Sequence, residues 1–394
     1  MPWPGPTLGA AEAVVTRPPA VAPWWARDTR GVDPHEDEAE ALSRIDAFRR
    51  RRPRFADEVV TSAHGAGGRA SAALIDAVFL EHLGRGPSGD AATLDDAALL
   101  ELPAGARLAF TTDSYVVTPR RFPGGSVGHL AVHGTVNDLA MVGARPLALS
   151  LAVVLEEGFP VAELQAIVGD VAAAAAEAGV RVVTGDTKVV ERGAADGVWL
   201  TTAGVGAVPA GRAVDAGRVR PGDRLLLTGT LADHGMAVML ARGDLALEAD
   251  IRSDTAAVHD LAEVLWAAAP GLRWLRDPTR GGLATVANDL AADAGVAVVL
   301  DEAALPVRPA VAGACELLGI DPLYVANEGK LVAVVPSDEA DAALAAVRTH
   351  PLGGEAALVG EVHAAPAGLV VLATTFGSTR IVDVLVGDPL PRIC

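Results

Sequence analysis

Cysteine, aromatic side chains and positive charge are all scarce in this chain, and each shortage excludes a class of protein. Cys315 and Cys394 are the two cysteines among 394 residues. Thiols so far apart in sequence make no disulfide framework, so a reduced, cytoplasmic setting is expected. Aromatics amount to 4%, which leaves Ala, Val and Leu to fill the core. Lys and Arg number 32 against 50 Asp and Glu, a formal net charge of −18. A surface of that sign lacks the basic footprint for nucleic acid or anionic lipid, so neither is expected as a partner. Long apolar runs are missing too. The stretch 171–183 is too short and too interrupted to span a bilayer. The first residues carry Pro, Trp and charge where a signal peptide would be apolar.

What is present suits a globular protein with a sizeable core: 51% hydrophobic and 21% charged residues, with length enough for two or three domains. Residues 1–55 read as an extension. Pro2, Pro4, Pro6, Pro18, Pro19 and Pro23 break regular structure, and a short helix from about Glu36 to Arg52 follows. This segment is either a solvated tail or a docking arm anchored by Trp3, Trp24 and Trp25.

Residues 56–215 and 216–383 read as two α/β domains, with a seam near 210–220. In the first, strands are expected at Arg107–Thr112, Leu147–Leu155, Arg181–Thr184 and Val198–Val208. Helices are expected at Gly128–Met141 and at Val161–Ala178, the latter stopped by Gly179. In the second, strands are expected at Arg224–Thr228, Ala297–Leu300, Lys330–Val335, Ala357–Val362 and Gly368–Ala373. Its helices fall near Gly235–Arg242, Thr255–Ala268, Gly282–Ala294 and Val311–Leu318. Residues 384–394 form an extended tail, because Pro389 and Pro391 forbid a helix.

Several clusters have the residue types for chemistry. His64-Gly-Ala-Gly-Gly68 is a glycine-rich loop that either cradles phosphate or is a plain turn, and it lacks the Lys of a Walker A motif. Asp95 and Asp96 sit together, Asp113 ends an expected strand, Asp138 lies inside a mostly apolar helix, and Asp277 stands before a loop that enters a helix. Singly they read as caps or salt-bridge partners; as a set they suit Mg²⁺ and a nucleotide. Gly185-Asp186-Thr187-Lys188 follows a buried-looking strand as a loop, with Lys188 either solvated or aimed at an oxyanion. Asn327-Glu328-Gly329-Lys330 is a polar knot whose carboxylate serves as a base or caps a turn. Cys315 reads as core packing, and Cys394 as incidental or reactive.

The motifs together resemble the HypE family of hydrogenase maturation factors. That family lies within the wider group of aminoimidazole-ribonucleotide synthetase-like and selenophosphate synthetase-like ATP enzymes. The likeness rests on HGAGGRA (64–70), FTTDSYVVTP (110–119), FPGGSVGHLAVHGTVNDLAMVGARP (122–146) and GDTKVV (185–190). It continues through DHGMAV (233–238), RDPTRGGLATV (276–286), ACELLGIDPLYVANEGKLVAVV (314–335) and the terminal PRIC. It runs in unbroken order from about 60 to 394. Ala66 stands where Ser is usual, and residues 1–55 are additional.

The resemblance implies a two-domain α/β (α+β) fold of the aminoimidazole-ribonucleotide synthetase type. Its N-terminal domain would form the interface of a homodimer, and a flexible tail would carry the reactive thiol of Cys394. Asp96, Asp113, Asp138 and Asp277 would be the metal ligands for Mg·ATP. His64, Gly65, Gly67, Gly68, Asp95, Asn137 and Asp186 would lie beside the nucleotide. Lys188 and Glu328 would stand at the dehydration site. A HypF-type carbamoyltransferase would load the thiol, and a HypC–HypD-type complex would receive cyanide. The implied reaction turns S–C(=O)NH₂ into S–C≡N by making phosphate the leaving group. Two rivals are a small-molecule kinase or selenophosphate synthetase of the same group, and a non-catalytic thiol carrier.

Overall fold

A computed structural model of the chain describes residues 43, 68–74, 98–101, 107–156, 158–243 and 249–385. The expectations for the extension, apart from Ser43, and for the end of the tail lie outside them. Every element below belongs to the compact unit Pro53–Cys394. The first run comprises α1 (Gly68–Leu74), β1 (Ala98–Glu101), β2 (Arg107–Tyr115), β3 (Arg121–Phe122), β4 (Gly125–Ser126), α2 (Val127–Met141), β5 (Arg145–Glu156), α3 (Val161–Glu177), β6 (Arg181–Val190) and β7 (Val198–Val208). The second comprises β8 (Arg224–Leu227), α4 (Asp233–Ala241), α5 (His259–Ala268), β9 (Trp274–Arg276), α6 (Gly282–Ala294), β10 (Ala297–Asp301), α7 (Pro309–Leu318), β11 (Val332–Val335), α8 (Ala340–Val347), β12 (Ala357–His363), β13 (Val370–Ala373) and β14 (Thr379–Ile381).

The first run builds a five-stranded sheet in the order β1-β2-β7-β5-β6, antiparallel except for β5 with β6. Its strands alternate. Along β7 the buried residues are Val198, Leu200, Thr202, Gly204, Gly206 and Val208, and those between them are partly or fully exposed. That period of two marks a sheet with one face covered. Helices α2 and α3 pack together on the covered side, and α2 lies on β2 and β7. α2 is apolar almost all round and buried along nearly its whole length, as suits a helix enclosed by structure on every side. Besides the sheet and α3 it touches α5 and β9 of the second run.

The second run builds a seven-stranded sheet in the order β14-β13-β10-β12-β8-β11-β9. Its central strands read as unbroken apolar runs because both faces are covered. Leu225, Leu227, Val332 and Val334 enter one core cluster, while Leu226, Ala333 and Val335 enter another.

The structure corrects the expected loop after Thr184. One strand runs from Arg181 to Val190, with Gly185, Asp186 and Lys188 inside it, paired in parallel with Leu151, Ala152 and Val154. A Cβ at 185 would stand 2.2 Å from the Leu151 carbonyl oxygen, so Gly185 permits close approach here instead of breaking the strand. Nor is the start of that strand buried: Val182 and Val183 are 38% and 56% exposed. Asp113, expected at a strand end, lies within β2. Helix α5 starts at His259 instead of Thr255, because residues 254–258 are engaged elsewhere, as the next sections show.

Candidate active site

A cavity of about 250 Å³ opens where the two sheets approach each other. Its first wall is the segment Thr111–Tyr115 of β2 with Gly134 and Asp138 of α2. Those two helical residues are four apart and therefore share a face. Its second wall is Asp277, Thr279 and Arg280, from the turn between β9 and α6, with Glu328 from the turn before β11. Thr111 Oγ1 donates to Asp138 Oδ2 at 2.8 Å, and the Ser114 N–H donates to Asp113 Oδ1 at 2.7 Å.

Asn327 fastens the two loops of the second wall. It is fully buried. Its Nδ2 donates to the carbonyls of Pro278 at 3.0 Å and Val325 at 3.1 Å, and its Oδ1 accepts the Ala232 N–H at 2.8 Å. Ala232 holds a left-handed backbone, φ 72°, which an L-residue adopts only when its surroundings over-determine it.

Acidic groups dominate the cavity. Burial pushes the Glu328 carboxyl well above the usual carboxylate range, and Asp277, Asp254 and Asp113 push it further, against the pull of Arg280. Burial also raises Asp113, opposed by Arg280 and the Ser114 N–H. Carboxyls forced together in this way favour a proton or a cation.

Among the described residues no group of three carboxylate, imidazole or thiol side chains is close enough to hold a metal ion unaided. The donor chemistry still fits Mg²⁺, a hard ion that takes one or two carboxylates and completes its shell with substrate phosphates and water.

A larger cavity of about 420 Å³ lies beside Arg145, Glu177, His259 and Glu263. Its Glu263 is already matched. Glu263 is held down to about 2, chiefly by its hydrogen bond from Arg212, with Arg145 adding a second.

Of the expected site residues, Asp113, Asp138, Asp277 and Glu328 come together on the smaller cavity. Gly68 begins α1, where a Cβ would meet the Leu385 carbonyl oxygen at 2.7 Å. Asp186 and Lys188 are placed by backbone within β6. His64, Gly65, Gly67, Asp95, Asp96 and Cys394 lie outside the described residues. Asn137 is not among the residues that line this cavity. Its Oδ1 accepts the Val258 N–H at 2.8 Å, and its Nδ2 donates to the carbonyls of Ala256 and Glu328 at 3.0 and 3.4 Å. Backbone groups thus hold its amide at both ends.

Sequence reading missed Thr111, Tyr115 and Arg280 on the cavity wall, and Asp233 and Asp254, which flank Lys330. The usable signal was Lys330 itself. A lysine between Gly329 and an apolar strand must be buried, and so needs acidic partners.

Two family models match the chain: the N-terminal domain of AIR synthase related proteins over residues 94–208 and the C-terminal domain over 220–372. The carbamoyl dehydratase HypE of Rhodobacter capsulatus is 59% identical over 339 residues, 86% of this chain and 99% of that protein. A crystal structure of a HypE–HypF complex aligns at TM-score 0.74 with 44% identity, covering 79% of this chain and 99% of that one. One of a HypE in complex with ATP aligns at TM-score 0.71 with 46% identity, covering 84% and 98%.

Proposed function

The chain belongs to the HypE carbamoyl dehydratases of hydrogenase maturation, and from that premise we propose that it uses ATP to dehydrate an S-carbamoyl group on Cys394 to a thiocyanate. The product supplies the cyanide ligand for the iron of a nickel–iron hydrogenase. One observation carries this reading: four acidic side chains, Asp113 from β2, Asp138 from α2 and Asp277 and Glu328 from turns of the second run, converge on one cavity with Arg280 beside them.

An amide oxygen is a poor leaving group. Attack of that oxygen on the γ-phosphorus of ATP releases ADP and leaves an O-phosphorylated carbon. Loss of the two nitrogen protons then expels phosphate and closes the C≡N bond. Mg²⁺ bound with the triphosphate would neutralise charge on the transferring phosphoryl, and Asp96, Asp113, Asp138 and Asp277 are the residues that would hold it. Arg280, on the cavity wall, supplies fixed positive charge toward the phosphates. Glu328, unprotonated once cations enter the cavity, accepts a nitrogen proton. Lys188 steadies the carbamoyl oxygen, and the loop His64–Gly68 approaches the phosphates through its backbone N–H groups.

The homodimer is part of the same proposal. The open face of the five-stranded sheet carries cross-strand rows of small and apolar residues: Phe110, Val205 and Ala148 in one, Thr112, Ala203 and Ser150 in the next. Phe110 is 42% exposed, Trp199 38% and Leu147 55%, so a second copy would bury a substantial apolar patch there. A HypF-type carbamoyltransferase loads Cys394, a HypC–HypD-type complex accepts the cyanide, and the exchange takes place in the cytoplasm. Among the described residues no helix is long and apolar enough to cross a membrane.

Intact mass tests the reading. Carbamoylated full-length chain should lose one water on Cys394 when Mg·ATP is added. Cys315→Ala should behave likewise, and Cys394→Ala should never gain the group. A carbamoyl mass that persists through ATP turnover would establish the carrier reading instead.

A further inference from the structure

The turn that carries Glu328 is gripped from two sides by residues with no place on the cavity wall. On one side, Asp254 accepts the Glu328 N–H at 3.3 Å on Oδ1 and 3.2 Å on Oδ2, and the Gly329 N–H at 3.1 Å on Oδ2. Lys330 Nζ stands 2.5 Å from the same Oδ2 and 3.3 Å from Asp233 Oδ2. On the other side, the Glu328 carbonyl accepts the Ala256 N–H at 3.3 Å and Asn137 Nδ2 at 3.4 Å. Both backbone polar groups of Glu328 are therefore bound, and every partner comes from residues 254–256 or from α2. A Cβ at 329 would stand 1.8 Å from the Asp254 carbonyl oxygen. Gly329 is what lets the two segments touch.

Stability alone does not explain this arrangement. The Asp254 side chain is 10% exposed and that of Lys330 is 5% exposed. A buried ion pair of this kind contributes about as much as well-packed apolar residues, or less. What it adds is geometry. A carboxylate accepts two adjacent backbone N–H groups in one orientation, and an apolar side chain accepts none. The peptide so oriented belongs to the residue whose carboxyl lines the cavity. The residue after Asn137 is Asp138, on the opposite wall, so one turn of α2 sets both walls.

We infer that Asp254 is a positioning residue for the dehydration: with Lys330 as its counter-charge and Asn137 gripping the far side, it fixes the Glu328 peptide so that the Glu328 carboxyl meets the substrate nitrogen. This rests on the reading of Glu328 as proton acceptor. Displacing a reacting group by about 1 Å is enough to slow chemistry by about a hundredfold.

The test uses full-length chain carbamoylated on Cys394, with single-turnover dehydration followed by intact mass and ATP affinity by calorimetry. Asp254→Asn keeps the side chain's size but removes its charge and one acceptor. It should slow dehydration about tenfold or more, while ATP affinity moves less than about threefold. Glu328→Gln should slow it about a hundredfold. The double variant should be no slower than Glu328→Gln by more than about twofold, because orientation cannot matter to a carboxylate that is gone. Asn137→Ala reads the same peptide from the other side and should show the same non-additivity, which keeps the test open if Asp254→Asn does not fold. Wild-type rate in Asp254→Asn, or losses that multiply in full in the double variant, would overturn the positioning role while the base stands. Wild-type rate in Glu328→Gln would overturn the base, and the positioning role with it.

Discussion

Two groups of buried charge meet at the turn 327–330, and the protein treats them in opposite ways. Asp113, Asp138, Asp277 and Glu328 face the cavity, where burial raises Asp113, and burial with repulsion from Asp277, Asp254 and Asp113 drives Glu328 well above the carboxylate range. A few residues away Asp233 and Asp254 flank Lys330, with Arg308 3.6 Å from Asp233. Burial also presses Asp254 upward, but Lys330, His234 and its backbone hydrogen bonds outweigh that and hold it low. Burial thus outweighs the pull of Arg280 on Glu328 and Asp113 in one cluster, whereas Lys330 and its neighbours outweigh burial at Asp254 in the other. Carboxyls that burial presses toward protonation are ones that an entering cation can stabilise.

Removing the central cation of the matched cluster is the most severe way to break this contrast. Lys330→Met would leave Asp233 and Asp254 buried against each other, at a cost of about 3–5 kcal/mol. Thermal unfolding should show Tm lowered by about 10 °C. An unchanged Tm would mean that the two aspartates were never matched by Lys330.

In the cavity cluster the sign reverses. Glu328→Gln removes the cost of either taking up a proton or holding a repelled charge, and should raise Tm of the nucleotide-free protein by about 2–4 °C, or about 1 kcal/mol, in the same protein that has lost dehydration. A variant both inactive and less stable would place Glu328 with the scaffold.

The smallest effect is on the pH profile. Because Glu328 and Asp113 have folded pKa values above their unfolded ones, the folded protein binds the extra protons between the two. Stability without nucleotide should therefore be fully present below about pH 4 and decline as pH rises through the folded values. Asp254, held low, acts in the other window: its contribution is present above about pH 4 and is lost as pH falls through its lowered value. Urea titrations across pH should show the upper decline shrink in Asp113→Asn; a decline that persists in full would assign it to other groups.

How much was legible follows from how local each signal is. The strand Val198–Val208 and the helix Gly282–Ala294 fell where their periodicity put them. The strand Trp274–Arg276 is three residues long, too short for any pattern to register, and exists because β11 offers it an edge. The helix at Ala340–Val347 lies in an Ala-rich run that carries little directional contrast. Gly185 looked like a strand breaker because its reason is tertiary, the approach to Leu151. The cavity acids were found because Asp113, Asp138, Asp277 and Glu328 each sit in a conspicuous polar context. Asp254 does not. Its work is defined by two backbone N–H groups 74 and 75 positions away, a relation no window along the chain contains.

The buried thiol of Cys315 is 1% exposed, and burial, with a smaller push from Asp321, raises it to about 11. At neutral pH it is almost wholly protonated and closed to electrophiles. In the native state, then, this chain carries a silent cysteine and at most one that answers. Every carbamoyl or cyano adduct, every alkylating label and every mixed disulfide seen on folded protein can be counted per chain without separating two sites. Unfolding makes the second thiol appear in the same measurement. The protein therefore contains its own gauge of whether a sample that fails to react has lost its chemistry or its fold.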